Sequence, residues 1–213
     1  MIVLGVLVSG SGTNLQAILD AIAARTLDAR VAVVVSNVDG APALERARKA
    51  GIEAVVVDHA QFVDRRPFDE TVARILRERG VEAVVLAGFM RLLTNVLLEA
   101  FPTRVINVHP ALLPAFPGVH AQRQALAYGV RVAGCTVHFV DAGTDTGPII
   151  AQAAVPVQED DDEAKLGERI LAKEHELLPR VLQWIAEGRV SVEPPSAPGG
   201  RPRVRVRGHV QAL

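Results

Sequence analysis

Apolar residues in this chain fall into short unbroken runs, and between the runs they recur at a spacing of three or four. Residues 2–8, Ile-Val-Leu-Gly-Val-Leu-Val, form one such run, the pattern of a strand covered on both faces. Runs at 31–36, 54–57, 81–87 and 104–109 predict further strands. Helical spacing of Leu15, Ile18, Leu19 and Ile22 predicts a helix ending near Arg25. Pro42 opens a helix that ends about Ala50, with Gly51 as its C-terminal cap. Phe68, Val72, Ile75 and Leu76 share one side of a helix over 67–79, and Thr94 caps a short helix through Glu99. The polar stretch 58–66, with His59 and Arg65, reads as a connection, and so does the loop 88–93.

Further along, a helix is expected over 121–128 and strands over 132–140 and 148–157, joined by an acidic turn at 141–147 and pairing antiparallel. The acidic run 159–163 precedes a long helix, 164–187, where carboxylates complement the helix dipole. Pro179 is expected to kink or split that helix. Strands alternating with helices across short links predict an α/β fold: a Rossmann-like, mostly parallel twisted sheet with helices on both faces and an antiparallel strand toward the C-terminal part. Residues 1–192 read as a single domain. From 193 the composition turns to Pro, Ser and Gly, and 201–207 alternates Arg with Val or Pro, as an edge strand with Arg facing water would.

Composition narrows the classes. About half of the 213 residues are apolar and few are aromatic, so the core is built from Val, Leu, Ile and Ala. A formal net charge of −1 gives no broad attraction to nucleic acid or to an anionic membrane. The single cysteine, Cys135, reads as a small core residue and fits a reducing compartment. The apolar amino terminus lacks a basic leader and a small-residue cleavage site, so it is expected to be a first strand of a cytoplasmic protein.

Two stretches carry chemistry. After the first strand comes Ser9-Gly-Ser-Gly-Thr-Asn14, then a helix. Glycines admit a close ligand, and a helix amino terminus offers free N–H groups and a positive dipole end. Leu15 stands where a dinucleotide fingerprint wants a third glycine, and Gly-Lys-Ser/Thr is absent, so a monophosphate is the favoured ligand. A turn that only packs helix on strand is the alternative. In the second stretch, 104–118, Asn107 and His109 leave the same face of a strand that Pro110 ends. An amide that donates to an oxyanion and an imidazole that carries protons are what acyl-type transfer needs. The His residues show no ligand spacing, and no metal is expected. His120 and His138 read as structural more than substrate-lining, and His59, His175 and His209 as surface positions.

Four stretches together resemble one family. They are 8–16 (Val-Ser-Gly-Ser-Gly-Thr-Asn-Leu-Gln), 86–93 (Leu-Ala-Gly-Phe-Met-Arg-Leu-Leu), 106–114 (Ile-Asn-Val-His-Pro-Ala-Leu-Leu-Pro), and 134–148 with its Asp141 and Asp145-Thr-Gly-Pro. In that order and spacing they resemble the phosphoribosylglycinamide formyltransferases, folate-dependent enzymes of purine synthesis, over residues 1 to about 192. The resemblance implies formyl transfer from 10-formyltetrahydrofolate to the amine of glycinamide ribonucleotide. It implies Asn107, His109 and Asp145 as catalytic residues, with Asp145 favouring the imidazolium form of His109. It further implies Gly12, Thr13 and Asn14 around the substrate phosphate and Glu174 at the glycinamide end. Arg65, Met90, Arg91, Leu92, Leu93 and Asn107 would meet the folate. Other folate formyltransferases share the catalytic trio; one acting on tRNA is expected to carry an extra carboxyl-terminal domain, and a formyltetrahydrofolate hydrolase an added amino-terminal one. A non-catalytic nucleotide-binding protein on the same fold is a further alternative. Whether the chain acts alone or as a homodimer is left open.

Overall fold

In the computed structural model, which describes residues 1–197 and 199–208, seven strands form one sheet. In chain order they are β1 (Ile2–Val8), β2 (Ala29–Ser36), β3 (Glu53–Val56), β4 (Ala83–Leu86), β5 (Val105–His109), β6 (Val132–Phe139) and β7 (Ile149–Pro156). Their order across the sheet is β3-β2-β1-β4-β5-β6-β7. Pairings from β3 through β5 are parallel, whereas β6 is antiparallel to both β5 and β7. Only β6 therefore runs against the other six.

Six helices cover the sheet: α1 (Thr13–Ala23), α2 (Pro42–Lys49), α3 (Arg65–Glu78), α4 (Asn95–Ala100), α5 (Ala121–Tyr128) and α6 (Glu163–Ala186). The strand residues alternate between two cores, as a pleated sheet requires. Leu4, Val6 and Val8 of β1 join Leu15 and Ile18 of α1 and Leu166, Ile170, Leu178 and Leu182 of α6 on one face. Leu7 faces the other way, with Phe68, Val72 and Leu76 of α3 and Leu97 of α4. Burying such side chains supplies roughly 1.5–3 kcal/mol each, which is what holds helices on both faces.

Several boundaries depart from the sequence pattern. Arg65 is not in a connection: Asp64 accepts from the Arg66 N–H at 2.8 Å and starts α3 there, ahead of Pro67. An Asx-type cap was enough to draw two polar residues into the helix. Likewise α6 is one continuous helix through Pro179, with Leu178, Pro179 and Val181 all buried. Packing along both flanks outweighs the hydrogen bond the proline cannot donate. Asp162 caps α6 by accepting from the Lys165 N–H at 2.8 Å, so the acidic run acts locally. Beyond the sheet, β8 (Val190–Glu193) and β9 (Arg203–Val206) form an antiparallel pair, with Val204 and Val206 half-buried and Arg203 and Arg205 exposed. His209 lies outside the described residues.

Strand order reverses at β1, since β2 lies on one side and β4 on the other. In a sheet of this kind the carboxyl ends at that reversal open a crevice where ligands bind. Three loops meet there: 9–12 after β1, 87–94 after β4, and 110–120 after β5.

Candidate active site

Ser9, the first residue beyond β1, ties the crevice together. Its hydroxyl donates to Asn37 Oδ1 at 2.6 Å and accepts from the Met90 N–H at 2.8 Å, and its own N–H donates to the Gly88 carbonyl. The ends of β1, β2 and β4 are thereby held in register. Asn37 also meets His59, whose Nδ1 lies 2.8 Å from the Asn37 carbonyl, so His59 is a half-buried strut rather than the surface residue expected.

The glycine loop turns its carbonyls away from the opening of α1. Gly10 O accepts from Ala43 N–H, Ser11 O from Arg46 Nε, and Gly12 O from Gln16 N–H. No side chain caps α1, because its cap is Gly12, in the left-handed region at φ 71. The first turn thus keeps donors for an outside acceptor, as an anion site requires. The packing alternative also has its observation. A Cβ on Gly12 would meet Ala43 Cβ at 2.6 Å, so this glycine is needed for α2 to approach.

The side chain of Asn14 is engaged with Glu174 of α6. It is buried and its Nδ2 donates to Glu174 Oε2 at 2.8 Å, while its Oδ1 is buried with no partner. Glu174, on α6, is 6 % exposed, and burial pushes its carboxyl up to about 7 despite that donor. At neutral pH this group is poised between its two forms. A cavity of about 660 Å³ lies outside this pair, between α1 and α6, lined among others by Thr13, Gln16, Arg46 and Trp184. Asn107, His109 and Asp145 do not line it.

Those three converge elsewhere. Asn107 and His109 project from β5 on the side of Val105, the α3–α4 face, opposite the α1–α6 face that Ile106 and Val108 occupy. His109 is only 4 % exposed, because the 110–120 and 141–147 loops fold over it. Its Nε2 donates to the Phe116 carbonyl at 2.9 Å and its Nδ1 lies 3.4 Å from Asp145 Oδ2. Each ring nitrogen thus faces an oxygen acceptor. Asp145 Oδ2 also accepts from the Gly118 N–H at 2.8 Å. Asp145 sits at φ 54, a strained conformation for a residue with a Cβ. Gly147 makes that turn feasible: a Cβ there would fall 1.8 Å from the Phe139 carbonyl.

His138 is the residue that sequence reasoning undervalued. It pairs directly across from Asn107 in the β5–β6 ladder and is 2 % exposed. Its Nδ1 donates to the Phe139 carbonyl at 2.9 Å, which leaves Nε2 as an acceptor. Asn107 Nδ2 lies 3.1 Å from it and therefore turns its amide, not its carbonyl, toward the ring. Burial lowers the His138 pKa and keeps the ring neutral, so its 3.7 Å approach to Asp145 Oδ1 is not an ion pair. The period-2 pattern of β6 was the available signal, but it required knowing that β6 lies beside β5. His120 caps α5 at φ 57 and is largely exposed beside Glu163, away from this cluster.

The loop after β4 completes the crevice. Met90 and Leu92 are 72 % and 55 % exposed, and Arg91 stacks over Phe68 at 5.0 Å. Among the described residues the backbone of 91–93 takes part in no hydrogen bond within the chain. Arg65 is exposed at the start of α3. Among the described residues there is no group of three His, Cys, Asp or Glu able to hold a metal ion, and no helix long and apolar enough to cross a membrane.

Comparison with known proteins agrees with this geometry. The formyl transferase family model matches residues 3–182. Phosphoribosylglycinamide formyltransferase of Escherichia coli (strain K12) is 41% identical over 187 residues, which cover 88% of this chain and 88% of that protein. The trifunctional purine biosynthetic protein adenosine-3 of Drosophila melanogaster is 46% identical over 191 residues, covering 89% of this chain but only 14% of that protein. The chain therefore spans a small fraction of the length of the trifunctional relatives. The crystal structure of glycinamide ribonucleotide transformylase 1 from Symbiobacterium toebii superposes with a TM-score of 0.92 at 54% identity, covering 97% of this chain and 94% of that one. On this sequence and structural likeness, the chain belongs to the formyl transferase family, among the phosphoribosylglycinamide formyltransferases.

Proposed function

We propose that this protein transfers the formyl group of 10-formyltetrahydrofolate to the amine of glycinamide ribonucleotide, the third step of de novo purine synthesis. The observation that carries the proposal is the convergence of Asn107, His109 and Asp145 at the carboxyl ends of the strands, beside an uncapped helix start. The folate supplies an activated formyl carbon. Attack by the amine turns its carbonyl oxygen into an oxyanion, and Asn107 has one N–H on His138 and a second left to donate. Once substrate displaces the Phe116 carbonyl from Nε2, His109 donates that proton to the departing folate nitrogen and takes one from the attacking amine, directly or through a water. Asp145 stabilises the charged imidazole and orients it through Nδ1.

Binding divides between the two faces of the sheet. The N–H groups at Gly12, Thr13 and Asn14 take the substrate phosphate, and the Asn14 side chain acts by orienting Glu174 toward the glycinamide end. On the opposite face, Leu92 offers apolar surface and the unengaged backbone of 91–93 offers donors and acceptors, which together fit a pterin. The Met90 N–H is already committed to Ser9, so that residue contributes its exposed side chain. Arg65 is placed in the reading near the carboxylate tail of the folate. The same reading makes the protein cytoplasmic, with a small-molecule acceptor.

The test is an acceptor assay. Purified protein is given 10-formyltetrahydrofolate with glycinamide ribonucleotide, a methionyl-tRNA, a sugar nucleotide amine, or water alone. Formylated glycinamide ribonucleotide with little turnover of the others is expected. Preferential formylation of another amine, or release of formate with no acceptor, would replace this reading with another enzyme of the family.

A further inference from the structure

Among the described residues the backbone of 91–93 makes no hydrogen bond within the chain, yet it must present a defined edge to a flat ligand. Arg91 over the Phe68 ring and Leu93 on the α3–α4 core hold the loop's side chains, and hydrogen bonds fix its ends. On the amino side Ser9 holds Gly88 and Met90. On the carboxyl side Asp69 of α3 accepts at Oδ2 both from the Thr94 N–H at 2.5 Å and from the Thr94 hydroxyl at 2.7 Å. Asp69 is 1 % exposed. Thr94 was expected to cap α4 with its side chain, but no side-chain cap bond forms there because the hydroxyl is spent on Asp69.

A carboxylate is an expensive way to fill a buried site, and an apolar residue of similar size would pack against α4 at less cost. Burial raises the Asp69 pKa, while the two Thr94 donors and the nearby charges of Arg91 and Arg65 oppose the rise. The same α3 turn also supplies Phe68, which stacks on Phe89 at 6.5 Å and carries the Arg91 guanidinium over its ring at 5.0 Å. Arg65, the expected folate contact, is one helical turn before Asp69. Residues 68 and 69 of α3 thus reach the loop by ring contact and hydrogen bond, and Arg65 acts on Asp69 by charge.

We propose that Asp69 is a positioning residue for the co-substrate: it clamps Thr94 and so sets the edge that residues 91–93 present to the folate. Two donors converging on one oxygen fix the loop's exit in both direction and distance, which a single hydrogen bond does not. The substrate-phosphate half of the crevice lies on the other face and shares no partner with this clamp. This assignment rests on the reading of 91–93 as the folate edge.

Steady-state kinetics against each substrate tests it. Asp69→Ala is expected to raise KM for 10-formyltetrahydrofolate about tenfold, leave KM for glycinamide ribonucleotide within about twofold, and change kcat little. Asp69→Asn should recover most of the loss, because a carboxamide oxygen accepts the same two protons. If Asp69→Ala does not fold, as judged by circular dichroism, Thr94→Val decides: it removes only the hydroxyl and should raise the folate KM about threefold. Equal rises in both KM values, an unchanged folate KM, or no rescue by Asn would overturn the proposal. Leu92→Pro, which alters the edge directly, separates the two levels. If it raises the folate KM while Asp69→Ala does not, only the clamp fails; if neither moves it, the folate edge itself is elsewhere.

Discussion

The two ends of the crevice are built on different principles. The α1 end is assembled mainly from neighbours in sequence: strand, glycine turn and helix follow one another within residues 2–23, with Ala43 and Arg46 of α2 bracing the turn and Glu174 of α6 meeting Asn14. The proton-handling end is assembled almost wholly at long range. Asn107 meets His138 across an antiparallel ladder, and His109 meets Asp145 because the 141–147 turn folds back over β5. The first end uses backbone dipoles and needs little from its side chains. The second uses side chains whose protonation and orientation are set by burial. Binding groups of the first kind survive conservative change, whereas the second depends on every partner.

The contrast is sharpest at His109. His109→Ala should lower kcat by about a thousandfold or more while leaving KM for the phosphorylated substrate near its original value. Because the ring is buried, some loss of thermal stability is also expected. Turnover within tenfold of the parent would remove His109 from the chemistry. His138→Ala should cost about tenfold to a hundredfold in kcat through Asn107, whose amide would no longer be held. Unchanged kcat in a folded variant would show that the carboxamide orients itself.

At the binding end the expected effects run through stability. Glu174→Gln should stabilise the fold above neutral pH. The folded carboxyl titrates near 7, against an unperturbed 4.5, so between those values the native state binds more protons than the unfolded state. Stability contributed by the neutral form is therefore lost as pH rises from about 4.5 through 7. The removed penalty approaches about 3 kcal/mol at pH 8, at 1.36 kcal/mol per unit. Chemical denaturation at pH 5 and pH 8 checks the sign, since the gain should be about fourfold smaller at the lower pH. The same variant should raise KM for glycinamide ribonucleotide. Gly12→Ala is expected to have a smaller effect, destabilising by about 1–3 kcal/mol through contact with Ala43 and the positive φ. A thermal melt unchanged from the parent would mean α2 gives way freely.

Much of the fold was legible because burial patterns are periodic. Continuous apolar runs declared the parallel strands, and Leu15 and Ile18 declared the buried side of α1. Arg65 was misplaced because a short polar cap carries no hydrophobic period. Pro179 was misjudged for the opposite reason, since a local backbone rule was overridden by packing on both sides of α6. The glycine loop could be read as an anion site from local chemistry, yet the burial of Asn14 against Glu174 could not.

By itself, then, the sequence determined which segments are strands and helices, where the glycine turn lies, and that Asn107 and His109 leave one face together. These follow from local sterics and from side-chain spacing along a single element. Only the tertiary structure decided that β6 lies beside β5 and so brings His138 to Asn107, that the 141–147 turn shuts His109 from water, and that Asp69 holds Thr94. Those contacts join residues that are 25 to 36 positions apart, and their energies depend on burial that no single segment can supply.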